Sequence, residues 1–361
     1  MAEEKVVRVK QLTRWQRIGV ASLFVAGAFV LTGAAFILSG LYNIGATREH
    51  WSVTNFIITI LRDRSVAVAA GGIEVPDLDD ADLYELGEQH FLGTCTSCHG
   101  TPGDPLNPLY AHMLPQPPDL TGAFEHYDAR EVFWIVNHGL KYTGMPSWPA
   151  PHRPDEVWTV VSYLERLNRI GPENVGAEDN VLERAQSLDT CRRCHGGAGE
   201  GPVSDLVPRL NGMSEHYLRR ALEEYRDGQR ASGVMGPIAF DMSDEVIAGS
   251  AASYAALPPP QGRVNPDADL TLGRRIAEEG IAGQDVPACR SCHGGGNPQV
   301  PRLAGQSERY MSTQLKLWQH AEYRDASPEG RLMSIIGGRL TEDQGQAVSA
   351  YYATLDAEPG R

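Results

Sequence analysis

The sequence predicts an all-α protein with one membrane-spanning helix near its N-terminus and three tandem helical units after it. Three observations predict this fold. Residues 18–42 carry no charge, a Cys-x-x-Cys-His motif recurs at intervals of 96 and 98 residues, and the segment after each motif closes on a helical pattern. The closing patterns cover 155–167, 244–257 and 342–355, and each has a late aromatic residue, Tyr163, Tyr254 and Tyr352 respectively.

Length and charge set the broad class of the protein. The chain has 361 residues, 42% of them hydrophobic, and a formal net charge of -14. This length and composition indicate a folded protein of more than one domain and argue against a disordered chain. A nucleic-acid-binding protein held by phosphate contacts needs a basic face, so the acidic balance excludes that class.

The N-terminal segment, residues 1–42, has the composition of a basic cytoplasmic tail followed by a membrane anchor. The uncharged run from Ile18 to Tyr42 reaches roughly 37 Å at about 1.5 Å per residue, enough to cross a bilayer. Its basic flank predicts cytoplasm on the N-terminal side and the rest of the chain on the opposite, periplasmic side. A cleaved signal peptide is the alternative, although its apolar region usually spans about 7–15 residues. The flanking basic residues are Lys5, Arg8, Lys10, Arg14 and Arg17.

Residues 43–75 are predicted to form an amphipathic linker helix. Large apolar side chains recur there at near-helical spacing among charged residues, at Trp51, Phe56, Ile57, Ile60 and Leu61. This face predicts either a helix lying on the membrane surface or a helix packed on the first folded unit. Beyond residue 75 the chain has 24 basic and 41 acidic residues, a net charge of -17.

The rest of the chain divides into three related units. Stretches rich in proline, glycine and acidic residues separate them, which places the units at 76–172, 173–262 and 263–361. The second and third units share the sequences Pro208-Arg209-Leu210 and Pro301-Arg302-Leu303, each followed by Ser-Glu-x-Tyr. A unit of about 90–100 residues buries only a modest core from side chains alone. A large apolar cofactor inside each unit would relieve that shortage.

The cysteine motif carries the chemistry of each unit. Two cysteines three residues apart lie on one face of a helical turn, and the adjacent histidine projects to the same side. This arrangement suits two thioether bonds to a haem and one nitrogen ligand to its iron, and it is the sequence signal for c-type haem attachment. The motifs predict three covalent haem c groups, held by Cys95, Cys98, Cys191, Cys194, Cys289 and Cys292, with His99, His195 and His293 as iron ligands.

Two other roles of the motif are disfavoured by its context. Zinc normally takes four ligands from paired motifs, whereas three isolated motifs give an odd set and leave the adjacent histidines unexplained. A thioredoxin-like redox pair is expected once, in a βαβ context, whereas the flanks of these motifs have helical patterns. Both alternatives therefore explain less of the sequence than haem attachment does.

The second axial ligand of each haem is predicted to be a methionine thioether, at Met145, Met235 and Met333. The spacing from the motif histidine is 40 residues in both the second and the third unit. Met242 competes in the second unit, but the aligned residue of the third unit is Leu340, so Met242 is interpreted as core. Met113 lies too close to His99 along the chain to reach round a haem.

Bis-histidine ligation is the alternative to methionine, with His138, His216 or His320 as candidates. These histidines do not occupy equivalent places in the three units, which favours surface positions for them. A Pro-x-Leu sequence, by contrast, recurs at Pro118, Pro208 and Pro301. Because a metal-bound histidine usually donates its second ring nitrogen to a carbonyl or carboxylate, these proline carbonyls are candidate acceptors. A plain loop turn is the alternative role for them.

With these motifs the sequence resembles the class I c-type cytochromes over residues 76–361. The second and third units, through CRRCHGGAGEGP, CRSCHGGGNP and the following VPRL sequences, are similar to the tandem domains of periplasmic di-haem cytochromes c. The first unit is similar to monohaem domains of membrane-bound respiratory cytochromes. The resemblance implies a small helical fold per unit, in which the first and last helices cross beside the haem. Gly87 and Gly273 match the glycine that the family places at this crossing. The second unit has no glycine at the corresponding place, where residues 182–185 read Leu-Glu-Arg-Ala.

The expected function is that of a membrane-anchored trihaem cytochrome c that carries electrons on the periplasmic face of a bacterial inner membrane. Expected donors are a quinol–cytochrome c reductase, a small cytochrome c or a dehydrogenase, and the expected acceptor is a terminal haem–copper oxidase. The chain is expected to be an electron-transfer protein and not itself an enzyme, since the redox chemistry belongs to the haem. Methionine ligation raises the haem potential relative to bis-histidine ligation, which fits the high-potential end of a chain.

Other functions stay open. The main alternative is the cytochrome subunit of a periplasmic dehydrogenase, in which a partner subunit oxidises a substrate and passes its electrons directly to this chain. A haem peroxidase needs an open iron site with an acid–base group over it, and three methionine ligands argue against that class. A haem-based sensor or structural anchor needs an output domain, for which the three units leave no residues.

Overall fold

A computed structural model of the chain describes residues 13–171, 188–263, 270–319 and 328–357, and these residues form no β-sheet. Short turns of π- or 3-10 helix and an isolated bridge between Ile281 and Val286 accompany the α-helices. The α-helices are α1 (Arg14–Ser39), α2 (Ser52–Ala70), α3 (Ala81–His90), α4 (Thr96–His99), α5 (Pro108–Ala111), α6 (Ala129–His138), α7 (Pro154–Ile170), α8 (Leu188–His195), α9 (Glu215–Arg226), α10 (Met235–Phe240), α11 (Asp244–Ala255), α12 (Leu270–Glu279), α13 (Arg290–His293), α14 (Glu308–Gln319), α15 (Pro328–Gly337) and α16 (Glu342–Ala353).

Helix α1 coincides with the predicted anchor. It begins at a capping box, in which the Thr13 hydroxyl accepts from the amide of Gln16 and the Gln16 side chain accepts from the amide of Thr13. Gly40 ends the helix with a φ of 65°, a left-handed conformation that glycine adopts without strain. Among the described residues α1 is the one helix long and apolar enough to cross a membrane, a test that a signal sequence also passes. Lys5, Arg8 and Lys10 lie outside the described residues.

Helix α2 has two different halves. In the second half Val66 and Ala70 are buried, and the Asp63 carboxylate accepts a hydrogen bond from the Tyr127 hydroxyl at 2.9 Å. In the first half the apolar side chains are exposed, including Phe56 and Ile57. The helix is shorter than the predicted linker of 43–75, and packing on the first unit accounts for its second half.

In the predicted first unit, residues 76–172, α3 crosses α7 at close range. A Cβ atom at Gly87 would lie 1.9 Å from the carbonyl oxygen of Thr159, so only glycine permits this approach. Around the crossing, Phe91 and Tyr163 pack with ring centroids 5.1 Å apart in the core of this unit. The close helix crossing implied by the resemblance is confirmed here.

The third unit, residues 263–361, repeats this crossing with α12 and α16. A Cβ atom at Gly273 would lie 2.1 Å from the carbonyl oxygen of Ala347. Ile276 and Tyr352 are buried in the core that forms around the contact. In the second unit, residues 173–262, the segment 182–185 lies outside the described residues, and the core contains Met213, Leu218, Ala251 and Tyr254 from α9, α11 and the loop before α9.

The start of α3 contacts both later units. Asp80 and Asp82 bind the guanidinium of Arg309 in α14, and the carboxylate of Asp82 also accepts a hydrogen bond from the amide of Asp205 at 2.7 Å. The Arg309 guanidinium holds the pKa of Asp80 below its usual value, chiefly through the side-chain hydrogen bond. These charged contacts link all three units through one helix end.

Candidate haem-binding sites

Each cysteine motif forms a helical turn, as predicted. Cys95 ends a π-helical turn that continues into α4, the second motif ends α8, and the third forms α13. No disulfide joins any two of the six motif cysteines. Elsewhere in the described residues, no three or more histidine, cysteine and acidic side chains are grouped so that they could hold a metal ion.

The three motif histidines share one hydrogen bond. In each, Nδ1 lies within hydrogen-bond distance of the carbonyl oxygen of a Pro-x-Leu proline. Because a carbonyl only accepts, Nδ1 carries the proton and Nε2 is left as the ligand atom. The predicted role of the proline carbonyls is confirmed by the distances for His99 to Pro118 (2.9 Å), His195 to Pro208 (3.0 Å) and His293 to Pro301 (2.8 Å).

The surroundings keep His195 and His293 in the metal-binding form. Burial lowers the pKa of His195, and the bond to Pro208 opposes the shift. Burial likewise lowers the pKa of His293, against its bond to Pro301. Both imidazoles are therefore neutral at pH 7, which is the form that binds iron.

The first cysteine of each motif lies in an apolar core beside the tyrosine of the last helix. Burial raises the pKa of the Cys95 thiol to about 12 and that of Cys289 to about 11. The paired residues are Cys95 with Tyr163, Cys191 with Tyr254 and Cys289 with Tyr352, each pair in one core cluster. The repeat alignment in the sequence thus describes equivalent places in three dimensions.

The second and third motifs line one continuous cavity of about 640 Å³. Their four cysteines and two histidines all face it, together with Met235 and Met333. The structure therefore brings each of these predicted ligand sets together, and it brings the two sets to the same cavity. The cysteines and histidine of the first motif are not among its lining residues.

Met235 and Met242 differ in position, but Met242 is half-buried and belongs to no core cluster of the described residues, unlike the core position predicted for it. Met235 is the first residue of α10 and lines the cavity, whereas the side chain of Met242 does not, and the Met242 carbonyl accepts a hydrogen bond from Arg226 at 3.2 Å. Two further methionines also line the cavity. Met213 and Met311 are buried in the core clusters of their units, and no spacing rule in the sequence singled them out.

In the first unit, a tight loop presents Met145. The amide of Leu140 donates to the Met145 carbonyl at 3.2 Å, and the Met145 amide donates to the Thr143 hydroxyl at 3.1 Å. Gly139 ends α6 with a φ of 64° and packs against this loop. Met113, which the sequence set aside, lies beside the loop, with its Cε 2.3 Å from the position of a Cβ at Gly144.

The alternative histidine ligands have other partners. The His138 ring lies 4.9 Å from the ring of Trp134, centroid to centroid. His216 Nε2 lies 2.8 Å from the side-chain oxygen of Gln299. Neither lines the cavity, and His320 lies outside the described residues.

Arg230 tests whether the cavity suits a haem, which carries two carboxylates. The residue is 9% exposed, and its guanidinium lies 4.6 Å over the ring of Tyr225 and donates to the Tyr217 hydroxyl at 3.5 Å. Among the described residues its Nε has no hydrogen-bond partner, and no carboxylate there forms a salt bridge with it. A buried cation without an anionic partner is costly, so this lining fits a ligand with carboxylates. The aligned residue of the third unit is Pro328, so comparison of the repeated units could not identify Arg230 as a functional residue.

A helical turn with two cysteines and a carbonyl-bonded histidine is typical of c-type haem proteins. Comparison with known proteins agrees with this class. Residues 82–164 match the family model described as cytochrome c oxidase, cbb3-type, subunit III.

Two relatives and one solved structure are similar over about half of the chain. The chain is 34% identical to the thiosulfate dehydrogenase electron acceptor of Stutzerimonas stutzeri over 173 residues, 46% of this chain and 78% of that protein. It is 28% identical to cytochrome c4 of Pseudomonas aeruginosa over 201 residues, 54% of this chain and 98% of that protein. The cytochrome c4 structure from Acidithiobacillus ferrooxidans aligns with a TM-score of 0.43 and 30% identity, covering 47% of this chain and 100% of that one.

The chain belongs to the cytochrome c family, with cytochromes c4 and thiosulfate dehydrogenase electron acceptors among its relatives. It is therefore an electron-transfer protein whose cofactor is covalently bound haem c.

Proposed function

We propose that the chain is a membrane-anchored trihaem cytochrome c that relays electrons on the periplasmic face of a bacterial inner membrane toward a terminal haem–copper oxidase. The observation that carries the proposal is the threefold repetition of the histidine Nδ1 bond to a proline carbonyl, at 2.8–3.0 Å. Three motifs with the same outer hydrogen bond have the same chemistry available to them. A bound haem iron supplies one-electron exchange at each site.

The proposed attachment and ligand residues are those of the motifs and loops described above. Cys95 and Cys98, Cys191 and Cys194, and Cys289 and Cys292 form the thioethers. His99, His195 and His293 are the proximal ligands, and Met145, Met235 and Met333 the distal ones. The cavity supports this assignment in the second and third units. In the first unit it is supported by the loop that the hydrogen bond between the Leu140 amide and the Met145 carbonyl closes.

Anchoring by α1 is supported by an aromatic cluster at the end of this helix. The ring centroid of Trp51 lies 5.8 Å from that of Phe36 and 5.1 Å from that of Tyr42. The Tyr42 hydroxyl also lies 2.7 Å from Nδ1 of His50. Tryptophan and tyrosine concentrate where a membrane meets water, so a membrane boundary near residue 42 fits these contacts.

The relay needs partners at both ends. A quinol–cytochrome c reductase or a small cytochrome c is the proposed donor, and the oxidase is the acceptor. The match of residues 82–164 to an oxidase subunit family supports the oxidase end. The charge of -17 beyond residue 75 favours partners with a basic docking patch, and salt should weaken their association because screening acts over about 8–10 Å.

A second candidate function follows from the relatives. One of them is named as an electron acceptor of thiosulfate dehydrogenase and is 34% identical over 173 residues. In this alternative the chain is the cytochrome subunit of a periplasmic dehydrogenase, and thiosulfate is the first substrate to test. The two functions differ in what supplies the electrons.

Purification of the complex from detergent-solubilised membranes tests the proposal. With an ascorbate-reduced mediator, oxygen uptake should depend on this chain, be lost from membranes that lack it, and return on complementation. Oxygen uptake that survives its removal, with a flavin- or quinone-containing dehydrogenase in the same peak, supports the alternative. Reduction of the cytochrome by thiosulfate in that peak would identify the donor.

The same material tests the anchor. N-terminal sequencing should find residues 18–42 still attached in the membrane fraction. A mature N-terminus after residue 40 in a soluble fraction contradicts anchoring by α1.

A further inference from the structure

Glu156, in the first turn of α7, is a buried carboxylate of the first unit that contacts the second. It is 6% exposed. Its oxygens accept hydrogen bonds from the Ser232 hydroxyl and from the amide of Gly233, both at 2.6 Å. From its own unit, the indole of Trp148 donates at 3.0 Å and the guanidinium of Arg153 lies at 3.1 Å. All four partners are donors, and a carboxylate can accept from all of them. Burial raises the pKa of Glu156, and the charge of Arg153 and the hydrogen bonds from Ser232 and Trp148 oppose this shift.

These contacts lead directly to Met235. The Ser232 hydroxyl donates to Glu156 and at the same time accepts from the backbone amide of Met235 at 3.0 Å. Arg153 fixes the start of the same loop by donating to the carbonyl of Ala231 at 2.8 Å. The first unit therefore holds the segment at Ala231, Ser232 and Gly233, and Ser232 passes this constraint to the Met235 amide.

Gly233 lets this segment lie against the first unit. A Cβ atom there would be 2.0 Å from Nε1 of Trp148, the nitrogen that also donates to Glu156. The segment thus packs on a buried indole and bonds to a buried carboxylate. Both features restrict where the first residue of α10 lies.

Met333 in the third unit takes its position in another way. It is the sixth residue of α15, so its amide lies beyond the four at the helix start that lack an intrahelical partner. Met235 is the first residue of α10, where the amide has no such partner, and the Ser232 hydroxyl supplies the acceptor. The position of the methionine therefore depends on Glu156 in the second site and not in the third.

We propose that Glu156 is a positioning residue for the second haem site, through which the docked first unit sets where the Met235 thioether lies in the cavity. The inference rests on the proposed ligation by Met235. An axial ligand tunes the potential of its iron. Docking of the first unit on the segment 231–235 therefore adjusts the potential of the second site and leaves that of the third unchanged.

The test compares Glu156→Gln with Asp155→Asn in the full-length protein with its haems attached. Asp155 is the matched control because it has the same charge and pairs with the same arginine, Arg153, at 2.8 Å, but makes no hydrogen bond of its own to Ser232 or Gly233. Arg153 keeps its contacts with Glu156 and Ala231 in this variant. We expect Glu156→Gln to shift one of the three potentials and to remove up to about one third of the sulfur-to-iron absorption band of the oxidised protein. We expect Asp155→Asn to retain the full band. Equal spectra and equal potentials in the two variants would overturn the inference.

A milder variant covers the case in which Glu156→Gln fails to fold. Ser232→Ala deletes a single hydroxyl, and with it the bridge between Glu156 and the Met235 amide, so the same band loss and the same shift are expected. An unchanged band and unchanged potentials in Ser232→Ala would contradict the inference. Met235→Ala distinguishes the proposed ligation by Met235 from the proposed positioning role of Glu156. If it keeps the full band, the proposed ligand is wrong, whereas a loss there with no change in the Glu156 and Ser232 variants rejects only the positioning role.

Discussion

Met235→Ala is expected to remove one haem's share, about one third, of the sulfur-to-iron band and to lower one of the three potentials by on the order of hundreds of millivolts. The reason is that a thioether ligand stabilises reduced iron, and that Met235 lines the cavity together with Cys191, Cys194 and His195. Near-infrared absorption of the oxidised protein and a redox titration measure both effects. Met145→Ala and Met333→Ala are expected to behave in the same way, one haem each.

Met242→Ala is the matched control for this experiment. Met242 belongs to the same unit but does not line the cavity, so its variant should keep the whole band and all three potentials. Loss of the band in Met242→Ala with its retention in Met235→Ala would show that the distal ligand of the second unit is assigned to the wrong methionine.

Gly273→Ala and Gly87→Ala are expected to destabilise their units by about 1–3 kcal/mol or more, the range for overpacked cores. The added Cβ would lie 2.1 Å from the Ala347 carbonyl oxygen in the third unit and 1.9 Å from that of Thr159 in the first. Both oxygens are backbone atoms, one in α7 and one in α16, and they cannot move away without separating the two helices at the crossing. Thermal unfolding of the haem-loaded variants, followed by the haem absorption of the protein, measures the loss.

Gly249→Ala provides the control for these variants. Gly249 is also helical, in α11, and an added Cβ would meet no atom within 4 Å. Because alanine favours the helix over glycine, this variant should be neutral or more stable by about 0.5–1 kcal/mol. Stability of Gly273→Ala equal to that of Gly249→Ala would contradict the close crossing of α12 and α16.

Helix positions were predictable because their signals are local. The pattern over 342–355 became α16, which begins at a capping box between Thr341 and Gln344. The pattern over 155–167 became α7, which extends by a turn or less at its ends. In both cases apolar periodicity and the capping residues lie within the segment itself, so no distant contact is needed to place the helix.

The helical turns of the motifs and the hydrogen bonds of their histidines were also predictable, for a different reason. Covalent attachment and iron ligation need fixed residue types at fixed spacing, and three copies of the unit allow one copy to be compared with another. The prolines that accept from the motif histidines follow from the same comparison, since Pro208 and Pro301 stand at the same place in two copies.

Contacts between the units were not predictable from the sequence. Ser232 lies 76 residues from Glu156, and Asp80 lies 229 residues from Arg309. Neither pair belongs to a motif or to the repeat, because the units are docked asymmetrically and each contact occurs once. Arg230 was missed for the same reason, since its role depends on a cavity that residues of all three units line.

The central claim, three covalently attached haems in one chain, is tested most directly by the intact mass of the protein purified from its membrane and freed of non-covalent ligands by acid extraction. The account predicts a mass that exceeds that of the polypeptide by three haem groups, because each of the three motifs contributes two thioethers. A mass with fewer than three haems, or one explained by zinc or by disulfides among the six cysteines, would contradict it.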